Sequence, residues 1–384
     1  MTALNSTALN STGLDSTGLD STGRTSSAVL TREVHVVVPA GIDDPASPSG
    51  GNRYDRRVCQ GLADDGWMVH ERAVAGAWPH PDATARDGLG AALAAAPDGA
   101  VVLVDGLVAC GVPDVVVPAA RRLALVVLLH LPLGDESGAS PELAAREREV
   151  LSAATAVVAT SPWAGRRIVA LHGLDPARVT VAAPGVDPAP LAPGSGGTAL
   201  LCVGALTPTK GQDLLVDALA EMQDLPWTCT LVGPLRHTAH VDALRAALAR
   251  HGLTERVALT GPLTGADLDA VYATADLLVV PSRAETYGMV VTEALARGIP
   301  VLASDAGGLP ETLGHDPEGR VPGIVVPAAR PAALGAALCR WLLDPALRDG
   351  LRHTAGARRG MLHGWEVTSR CMTQALTLPG GTPA

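Results

Sequence analysis

The hydrophobic pattern of this chain alternates between short apolar runs and longer segments that are apolar on one side only. Short runs such as Val34–Pro39 (VHVVVP) and Leu277–Val280 (LLVV) are typical of strands buried on both faces of a parallel sheet. The longer segments space their apolar residues as an amphipathic helix does. Their alternation predicts an α/β protein in which helices cover both faces of parallel sheets.

A stretch rich in proline and glycine interrupts this pattern and divides the chain in two. The stretch PAPLAPGSGG follows Asp187 and is typical of a linker between domains. We therefore predict an N-terminal domain at 29–190, a C-terminal domain at 191–360 and a closing segment at 361–384. In the N-terminal domain, further strands are predicted at 67–74, 100–104, 124–129, 156–160 and 178–182, and helices at 52–65, 84–95, 112–121, 140–153 and 161–172. In the C-terminal domain, strands are predicted at 199–203, 257–261, 277–280 and 323–326, and helices ending near 222, beginning near 265, and at 330–343 and 345–360.

The first residues of the chain follow a different rule. Residues 2–26 are five tandem copies of a pentapeptide with few apolar positions. Such a repeat buries too little surface to offset the entropy lost on ordering. We predict that residues 1–28 are a disordered tail without a chemical role.

The stretch from Asp276 to Glu311 has the strongest pattern of candidate chemistry. A buried strand leads through a polar loop into a helix that opens near Gly288, and ligands of parallel sheets bind where strands end and helices begin. The helix start offers free N–H groups and a positive dipole end that suit a phosphate, while Gly288 allows close approach. Glu285 in the loop and Glu293 in the helix could bind sugar and ribose hydroxyls. The unit is therefore suited to a nucleotide sugar, and the alternative is an ordinary strand–helix unit with two surface glutamates.

The same stretch resembles the donor-binding motif of retaining glycosyltransferase family 4. The family pattern is Pro-Ser, a variable pair, Glu, then Gly, Glu-Ala, a Gly-x-Pro-Val turn and Gly-Gly-x-x-Glu. The matching residues are Pro281, Ser282, Glu285, Gly288, Glu293, Ala294, Gly298, Pro300, Val301, Gly307, Gly308 and Glu311. The resemblance covers about 30–378 and implies the GT-B fold, in which two Rossmann-like lobes with parallel sheets face each other across a cleft. It also implies that the closing segment crosses back to the first lobe, with Trp365 as its anchor.

The resemblance further implies how a nucleoside diphosphate sugar is bound. Glu293 would bind the ribose, and Glu285 would bind hydroxyl groups of the transferred sugar. Backbone amides in both lobes would help to hold the diphosphate and the sugar. They are the amides near Gly288, Met289 and Val290 in the second lobe and near Gly50 and Gly51 in the first.

Two further positions gain a role from the resemblance. Gly233, at the end of a predicted strand, corresponds to a glycine turn near the nucleotide. His130 ends the strand in LLHLP and by position alone is as typical of a core histidine as of a site residue. The family has a histidine near the transferred sugar at this place, which favours a function. Asp105 also ends a predicted strand and could face the cleft.

Lys210 is the only lysine of the chain, at a predicted turn from strand to helix. A flexible ammonium group there suits a diphosphate leaving group, and the family pattern Val-Gly-Arg followed by Lys-Gly supports this role over that of a solvated surface lysine. The arginine of the pattern is Ala205 here, so one of two cationic contacts is missing. Arg283, beside Glu285, could replace it.

Composition and charge narrow the choice of partners. The net charge of −10, the pI near 5.5 and the low aromatic content of 2% argue against nucleic acid and anionic membrane surfaces. The N-terminus shows no signal peptide, and the longest apolar run, Leu123–Gly134, is too short to cross a bilayer. We therefore expect a cytoplasmic protein.

The sequence shows no clear pattern for a metal site or for redox-active cysteines. The six cysteines form no Cys-x-x-Cys pair and are typical of buried apolar residues in a reducing compartment. Asp267 and Asp269 form an Asp-x-Asp sequence, but acidic residues are common at the start of a helix. We expect neither a metal site nor a cofactor apart from the donor substrate.

The sequence thus predicts a retaining glycosyltransferase that moves a sugar from a nucleoside diphosphate to an acceptor hydroxyl, independently of metal. The balance of acids over bases in the first domain favours a small soluble acceptor. The resemblance leaves the sugar, the base (UDP or GDP type), the acceptor and the oligomeric state open. Two alternatives remain: another GT-B enzyme such as a nucleotide-sugar epimerase, and a binding or partner subunit that lost turnover with the arginine at 205.

Overall fold

The computed structural model describes residues 32–135, 140–235 and 237–377. The predicted tail at 1–28 and the last residues of the closing segment lie outside this range. Within it, strands and helices alternate as the hydrophobic pattern predicts, and every pairing between described strands is parallel. The predicted α/β class is confirmed.

The first lobe is a six-stranded sheet between two layers of helices. Its strands are β1 (Glu33–Pro39), β2 (Met68–Val74), β3 (Val101–Asp105), β4 (Ala124–Leu129), β5 (Ala156–Ala159) and β6 (Val179–Val181). Its helices are α1 (Gly50–Asp64), α2 (Ala83–Ala94), α3 (Gly106–Ala109), α4 (Pro113–Ala120), α5 (Pro141–Ala153) and α6 (Pro162–His172). The strand order β2-β1-β3-β4-β5-β6 places the reversal of strand order between β1 and β3. Ligands of such sheets bind at the carboxyl ends of the strands beside this reversal.

The second lobe repeats this arrangement. Its strands are β7 (Ala199–Val203), β8 (Thr228–Val232), β9 (Val257–Gly261), β10 (Leu277–Val280), β11 (Val301–Ser304) and β12 (Gly323–Val326). Its helices are α7 (Gln212–Ala220), α8 (Thr238–Arg250), α9 (Gly265–Thr274), α10 (Met289–Ala296), α11 (Leu309–Leu313), α12 (Pro331–Leu343) and α13 (Pro345–Arg359). The order β12-β11-β10-β7-β8-β9 puts the reversal between β7 and β10. The loops after these two strands carry Lys210 and Glu285.

The last helix, α14 (Trp365–Thr377), packs on the first lobe. Met372, Ala375 and Leu376 are buried in the same apolar cluster as residues of β1 and α1. Thr368 Oγ1 donates to the carbonyl oxygen of Ala183 (2.7 Å), and the Trp365 ring lies edge-on to Tyr54. The chain therefore returns from the second lobe to the first.

The core of each lobe is built almost entirely from Leu, Val and Ala, because the chain has no Phe. Four apolar clusters cover the two faces of the two sheets. Short branched side chains suit the narrow space between a parallel sheet and its helices. None of the helices in the described part of the chain combines the length and apolar character needed to span a bilayer.

The main differences from the sequence prediction concern helices. Helix α1 begins at Gly50 rather than at 52, because the Ser49 side chain accepts a hydrogen bond from the Asn52 amide and caps the helix there (3.1 Å). Helices α3 and α11 were not predicted, because four or five residues are too short to show a helical period. Helix α8 was also missed, although Val241, Leu244 and Leu248 have helical spacing.

Candidate functional site

Lys210 and Glu285 meet where strands β7 and β10 end. Lys210 lies in a short turn after β7, and its Nζ donates to Glu285 Oε2 at 2.5 Å. Gly211, with a φ of 70°, ends this turn, and a Cβ there would clash with the carbonyl oxygen of Pro281. The close contact between the two loops therefore sets the position of the ammonium group.

A pair of glycines supports the loop that carries Glu285. The amide of Gly308 donates to the Glu285 carbonyl oxygen (2.9 Å), and a Cβ on Gly307 would clash with the same oxygen. Gly288 has a φ of 84°, and a Cβ there would lie 2.6 Å from the Leu309 side chain. These glycines of the sequence motif are therefore required by packing around the loop.

Glu293 lies in the second turn of α10 and is almost completely buried. Its Oε2 accepts a hydrogen bond from the Tyr272 hydroxyl at 2.9 Å, and its Oε1 is ion-paired with Arg53 of helix α1. Burial, together with the Glu293 charge, raises the pKa of Tyr272 well above its usual value, so the phenol remains a donor. Arg53 also donates to Asp187 in the linker region (2.7 Å). The carboxylate predicted to bind ribose thus contacts both lobes.

The first lobe approaches this site with the start of α1. Both Gly50 and Gly51 lie in the first helical turn, where amide groups have no acceptor within the helix. A Cβ on Gly50 would lie 3.4 Å from the sulfur of Met289, and one on Gly51 would lie 3.4 Å from the His130 ring. The starts of α1 and α10 therefore face each other closely across the cleft.

Thr286, next to Glu285, connects the second lobe to the first. Its hydroxyl donates to the carbonyl oxygen of His130 (2.6 Å), and its own carbonyl oxygen accepts from the Ser161 hydroxyl (2.6 Å). The Tyr287 hydroxyl donates to the Pro184 carbonyl oxygen (3.1 Å). The cleft between the lobes has a volume of about 1380 Å³ and is lined by residues of both.

His130 ends β4 and forms a cluster with two buried carboxyl groups. Its Nε2 donates to Asp55 Oδ1 at 2.7 Å and lies 3.9 Å from Asp105 Oδ2. Burial lowers the pKa of His130, but the charge and the hydrogen bond of Asp55 outweigh it and raise this pKa to about 9. Burial and the nearby Asp55 raise the pKa of Asp105 to about 8. His130 lines the cleft, whereas both acids lie beneath it.

Sequence analysis did not single out Asp55. An acidic residue in a helix rich in arginine is usually solvated, yet Asp55 is 2% exposed. The spacing of Asp55 could have revealed its burial. Asp55 lies on one helical stripe with Val58 and Leu62, which are both apolar core residues. A polar residue on an apolar stripe indicates a buried polar partner, which here is His130.

Of the two remaining predicted donor-binding residues, Arg283 lies outside the cleft lining and Gly233 belongs to it. The Arg283 guanidinium donates to both Asp213 oxygens (2.6 and 2.8 Å) and to the Pro208 carbonyl oxygen (2.6 Å), and it does not line the cleft. The structure therefore does not bring Arg283 to Lys210 and Glu285. Gly233 does line the cleft, and a Cβ there would clash with the carbonyl oxygen of Gly204, so packing between strand ends also requires this glycine.

Asp55, Asp105 and His130 are the one group in the described ranges with enough clustered His, Cys, Asp or Glu atoms to hold a metal ion. Their geometry does not fit that role. The nitrogen nearest the acids is engaged in a hydrogen bond with Asp55, whereas a ligating nitrogen must be bare. The other lining residues are valines and leucines, which leave no oxygen atoms to complete the coordination of a hard cation. Asp269, of the Asp-x-Asp sequence, is ion-paired with Arg297.

Comparisons with known proteins relate both lobes to one group of enzymes. The first lobe matches the family model described as glycosyltransferase family 4 over residues 48–190. The second lobe matches the model described as glycosyl transferases group 1 over residues 197–344.

Two similar proteins are also named as glycosyltransferases. D-inositol 3-phosphate glycosyltransferase of Kineococcus radiotolerans is 36% identical over 260 residues, which cover 60% of this chain and 60% of the relative. The protein of the same name from Jonesia denitrificans is 33% identical over 247 residues, covering 58% of this chain and 57% of the relative. The chain thus spans less than two thirds of the length of these relatives.

Solved structures with the same fold include sucrose-phosphate synthase of Thermosynechococcus elongatus. It superposes with a TM-score of 0.73 at 20% identity and covers 90% of this chain and 98% of its own. The HepE protein of Anabaena in complex with UDP-glucose has a TM-score of 0.70 at 20% identity, covering 90% and 99%. This likeness confirms the predicted two-lobed GT-B fold.

Proposed function

Because the chain belongs to glycosyltransferase family 4, we propose that it transfers a sugar from a nucleoside diphosphate to an acceptor hydroxyl with retention of the anomeric configuration. The observation that carries this proposal is the contact between Lys210 and Glu285 beside the start of α10. An ammonium group and the amides of a helix start suit a diphosphate, and the carboxylate next to them suits sugar hydroxyls. UDP-glucose bound to a protein of the same fold supports a nucleotide sugar as the donor.

We assign the donor groups as follows. Glu293, held by Tyr272, binds the ribose diol, and Lys210 binds the diphosphate. Glu285 is released from Lys210 when the diphosphate takes the ammonium group, and it then accepts hydrogen bonds from the sugar. We propose that the backbone amides of Gly288, Met289 and Val290, together with those of Gly50 and Gly51, hold the diphosphate and the sugar; all five residues line the cleft.

The reaction then needs no covalent intermediate with the protein. The acceptor oxygen attacks the anomeric carbon on the face from which the diphosphate departs, and the bond from carbon to phosphate oxygen breaks. A diphosphate oxygen takes the proton of the acceptor hydroxyl. The role of the chain is to hold donor and acceptor in this geometry and to stabilise the charge that develops on the diphosphate.

For the acceptor, we propose a small polar molecule with several hydroxyl groups. The relatives named as D-inositol 3-phosphate glycosyltransferases support this class and make D-inositol 3-phosphate the first acceptor to test. The acceptor would enter from the side of the first lobe, since the second lobe supplies most of the donor contacts.

The test has a binding step and a transfer step. Thermal unfolding with UDP, GDP, ADP and TDP sugars should show a raised midpoint for the donor class that is bound. Incubation of that donor with D-inositol 3-phosphate, inositol and glycerol phosphate should release the nucleoside diphosphate, and NMR of the product should show the anomeric configuration of the donor. Glu293→Ala should lose the thermal shift, whereas Glu255→Ala, an exposed glutamate of the same lobe, should keep it. An inverted product, or no shift with any nucleotide sugar, would contradict the proposal.

Ala205 favours a second candidate, a nucleotide-sugar-binding subunit without turnover. Ala205 lines the cleft where the family pattern has an arginine, and the Arg283 guanidinium does not replace it. Thermal shifts with a nucleotide sugar but no product with any acceptor would support this candidate. An epimerase would instead change the sugar in the absence of an acceptor.

A further inference from the structure

The cluster beneath the cleft contains an unsatisfied carboxylate oxygen. Asp55 Oδ1 accepts from His130, but its Oδ2 is buried and has no hydrogen-bond donor among the described residues. Asp105 lies beside it, and Asp105 Oδ1 accepts from the Leu107 amide at 2.6 Å. The remaining neighbours are aliphatic side chains, namely Val36, Val38, Val58, Leu103 and Leu128. Water therefore has little access to satisfy this oxygen.

A single proton on Asp105 resolves this arrangement. Two carboxylates repel each other in an apolar surrounding and cannot hydrogen bond, whereas a protonated carboxyl group can donate to a carboxylate. The raised pKa of Asp105, due to burial and to the charge of Asp55, agrees with a proton on this residue at neutral pH. The cluster is then neutral overall, with Asp55 negative, Asp105 uncharged and His130 positive.

The charge of His130 determines whether its Nδ1 acts as a hydrogen-bond donor or as an acceptor toward the cleft. Its Nε2 is bonded to the carboxylate of Asp55 and must carry a proton. Among the described residues the ring makes its hydrogen bond through Nε2, and the His130 side chain is 23% exposed and lines the cleft, which leaves Nδ1 for a ligand. In a neutral ring Nδ1 would be an acceptor, and in an imidazolium it is a donor.

We propose that Asp55 and Asp105 hold one proton between them and keep His130 as an imidazolium, whose Nδ1–H group donates to an oxygen of the donor substrate in the cleft. Asp55 and Asp105 are thus positioning residues that act through His130. The consequence for transfer depends on the function proposed above, but the charge state of the cluster does not. Either a sugar hydroxyl or a phosphate oxygen has the acceptor chemistry that this group needs.

Asp55 and Asp105 are the charged groups that raise the pKa of the His130 ring, and its other neighbours described here are uncharged. Helix α1 contributes Asp55 and Tyr54, whose ring lies edge-on to His130 and whose hydroxyl donates to the Ala182 carbonyl oxygen. Burial raises the pKa of Tyr54 well above its usual value, so it stays uncharged. Strand β3 contributes Asp105, and the second lobe contributes the uncharged hydroxyl of Thr286. The imidazolium is present below a pH of about 9 and is lost as the pH rises through that value.

NMR titration of the whole chain labelled with ¹⁵N-histidine tests the charge directly. His130 is assigned from the signal that disappears in His130→Gln. In the unmodified chain its pKa should lie near 9, and in Asp55→Asn, which keeps the shape but removes the charge, it should fall by about one unit or more. Asp105→Asn resembles the protonated acid and should leave His130 charged at pH 7. As a matched control, Glu147→Gln removes the other buried acid bonded to a histidine, His172, and should leave the His130 signal unchanged.

The kinetic part of the test separates this inference from the proposed function. Asp55→Asn should lower kcat about tenfold or more while changing KM little, and should move the alkaline loss of activity to lower pH. Glu147→Gln, which changes the buried acid bonded to His172 and leaves this cluster intact, should retain most of kcat. A His130 pKa near its ordinary value in the unmodified chain would overturn the inference, as would an unchanged pKa in folded Asp55→Asn. If His130 titrates as expected but no nucleotide sugar is turned over, the proposed function fails and the charge assignment stands.

Discussion

The guanidinium of Arg53 in the first lobe is ion-paired with the carboxylate of Glu293 in the second. Glu293 is the residue that we assign to the ribose of the donor, so in this structure its binding site is occupied by a side chain of the opposite lobe. On this assignment, we expect donor binding to release Arg53 from Glu293. Arg53 keeps a second partner in Asp187, which lowers the cost of that release.

We expect Arg53→Ala to strengthen the binding of UDP. The Arg53 side chain is 38% exposed, and partly exposed ion pairs contribute up to about 1 kcal/mol, so the dissociation constant should fall about two- to fivefold. Isothermal titration calorimetry with UDP measures this directly. Arg57→Ala is the matched control, because Arg57 pairs with Asp187 at 2.5 Å and not with Glu293. Weaker UDP binding by Arg53→Ala would mean that Arg53 is itself a ligand of the nucleotide.

The two glutamates of the motif should differ in their kinetic effects. Glu293→Ala removes a ribose contact made equally in the ground and transition states, so KM for the donor should rise while kcat changes little. Glu285→Ala should lower kcat as well, because the sugar must be held while charge develops at its anomeric carbon. Steady-state kinetics with varied donor separates the two cases. Unchanged constants in both variants would refute the assignment of this site.

Much of this site could be predicted because it lies within one continuous segment. The boundaries of β10 agree with the prediction, and the start of α10 at Met289 follows from Gly288 and the preceding loop. Gly288 and Gly307 of the motif are required by local packing against Leu309 and Glu285. Because these contacts form within one short segment, the sequence of that segment is enough to predict them.

Contacts between distant segments could not be predicted in the same way. The pairing of Arg53 with Glu293 joins residues 240 positions apart and depends on how the lobes face each other. The partner of His130 is Asp55, 75 positions away, and only the packing of α1 on the sheet buries it. Arg283 is next to Glu285 in a polar loop, yet Asp213 at the start of α7 draws its guanidinium away from the cleft. Proximity in sequence does not determine side-chain direction in such a loop.

Asp276 connects the linker to the second sheet and should matter for stability. Its carboxylate accepts from the Ser195 amide (2.8 Å), the Ser195 hydroxyl (2.6 Å) and the Ala199 amide (3.0 Å). Burial raises the pKa of Asp276, but these hydrogen bonds outweigh it and hold the pKa below its usual value. Asp276→Asn should lower the free energy of unfolding by about 1–3 kcal/mol at neutral pH.

The pH dependence of this effect has a definite sign. Because the native pKa is depressed, the charge contributes stability above the pKa of the unfolded chain and loses it as the pH falls through the native value. The difference between Asp276→Asn and the unmodified chain in urea unfolding should therefore shrink below a pH of about 4. Asp224→Asn, an exposed aspartate of the same lobe, should have little effect at either pH. A difference that stays constant into the acid range would show that the charge of Asp276 is not the cause.

Transfer should not depend on a divalent cation. In our proposal the leaving-group charge is met by Lys210 and by the amides at the start of α10, and such fixed donors can replace a metal ion. We expect the initial rate in excess EDTA to equal the rate with added Mg²⁺. A loss of activity in EDTA that Mg²⁺ or Mn²⁺ restores would contradict this assignment of the diphosphate contacts.

Lys210 should carry more of the leaving-group stabilisation than a lysine that shares it with an arginine. Removing a preorganised donor from a developing anion costs about 3–4 kcal/mol, or roughly two to three decades in rate. Lys210→Ala should lower kcat by this amount without unfolding the chain, because the side chain lies in a turn and is one-third exposed. Circular dichroism and thermal unfolding provide the check on folding.

Ala205→Arg tests the same site in the opposite direction. Ala205 lines the cleft, and its carbonyl oxygen accepts a hydrogen bond from the side-chain Nε2 of Gln212 at 3.1 Å, so the backbone that would present an arginine is fixed. The variant should raise kcat and partly rescue Lys210→Ala, since a second cation would share the same charge. Arg283→Ala is the matched control and should leave kcat nearly unchanged, because Asp213 holds this guanidinium outside the cleft lining. A large loss of kcat in Arg283→Ala, together with an unchanged kcat in Ala205→Arg, would show that Arg283 turns into the cleft when the donor binds. If Lys210→Ala is silent as well, the diphosphate does not lie at the start of α10.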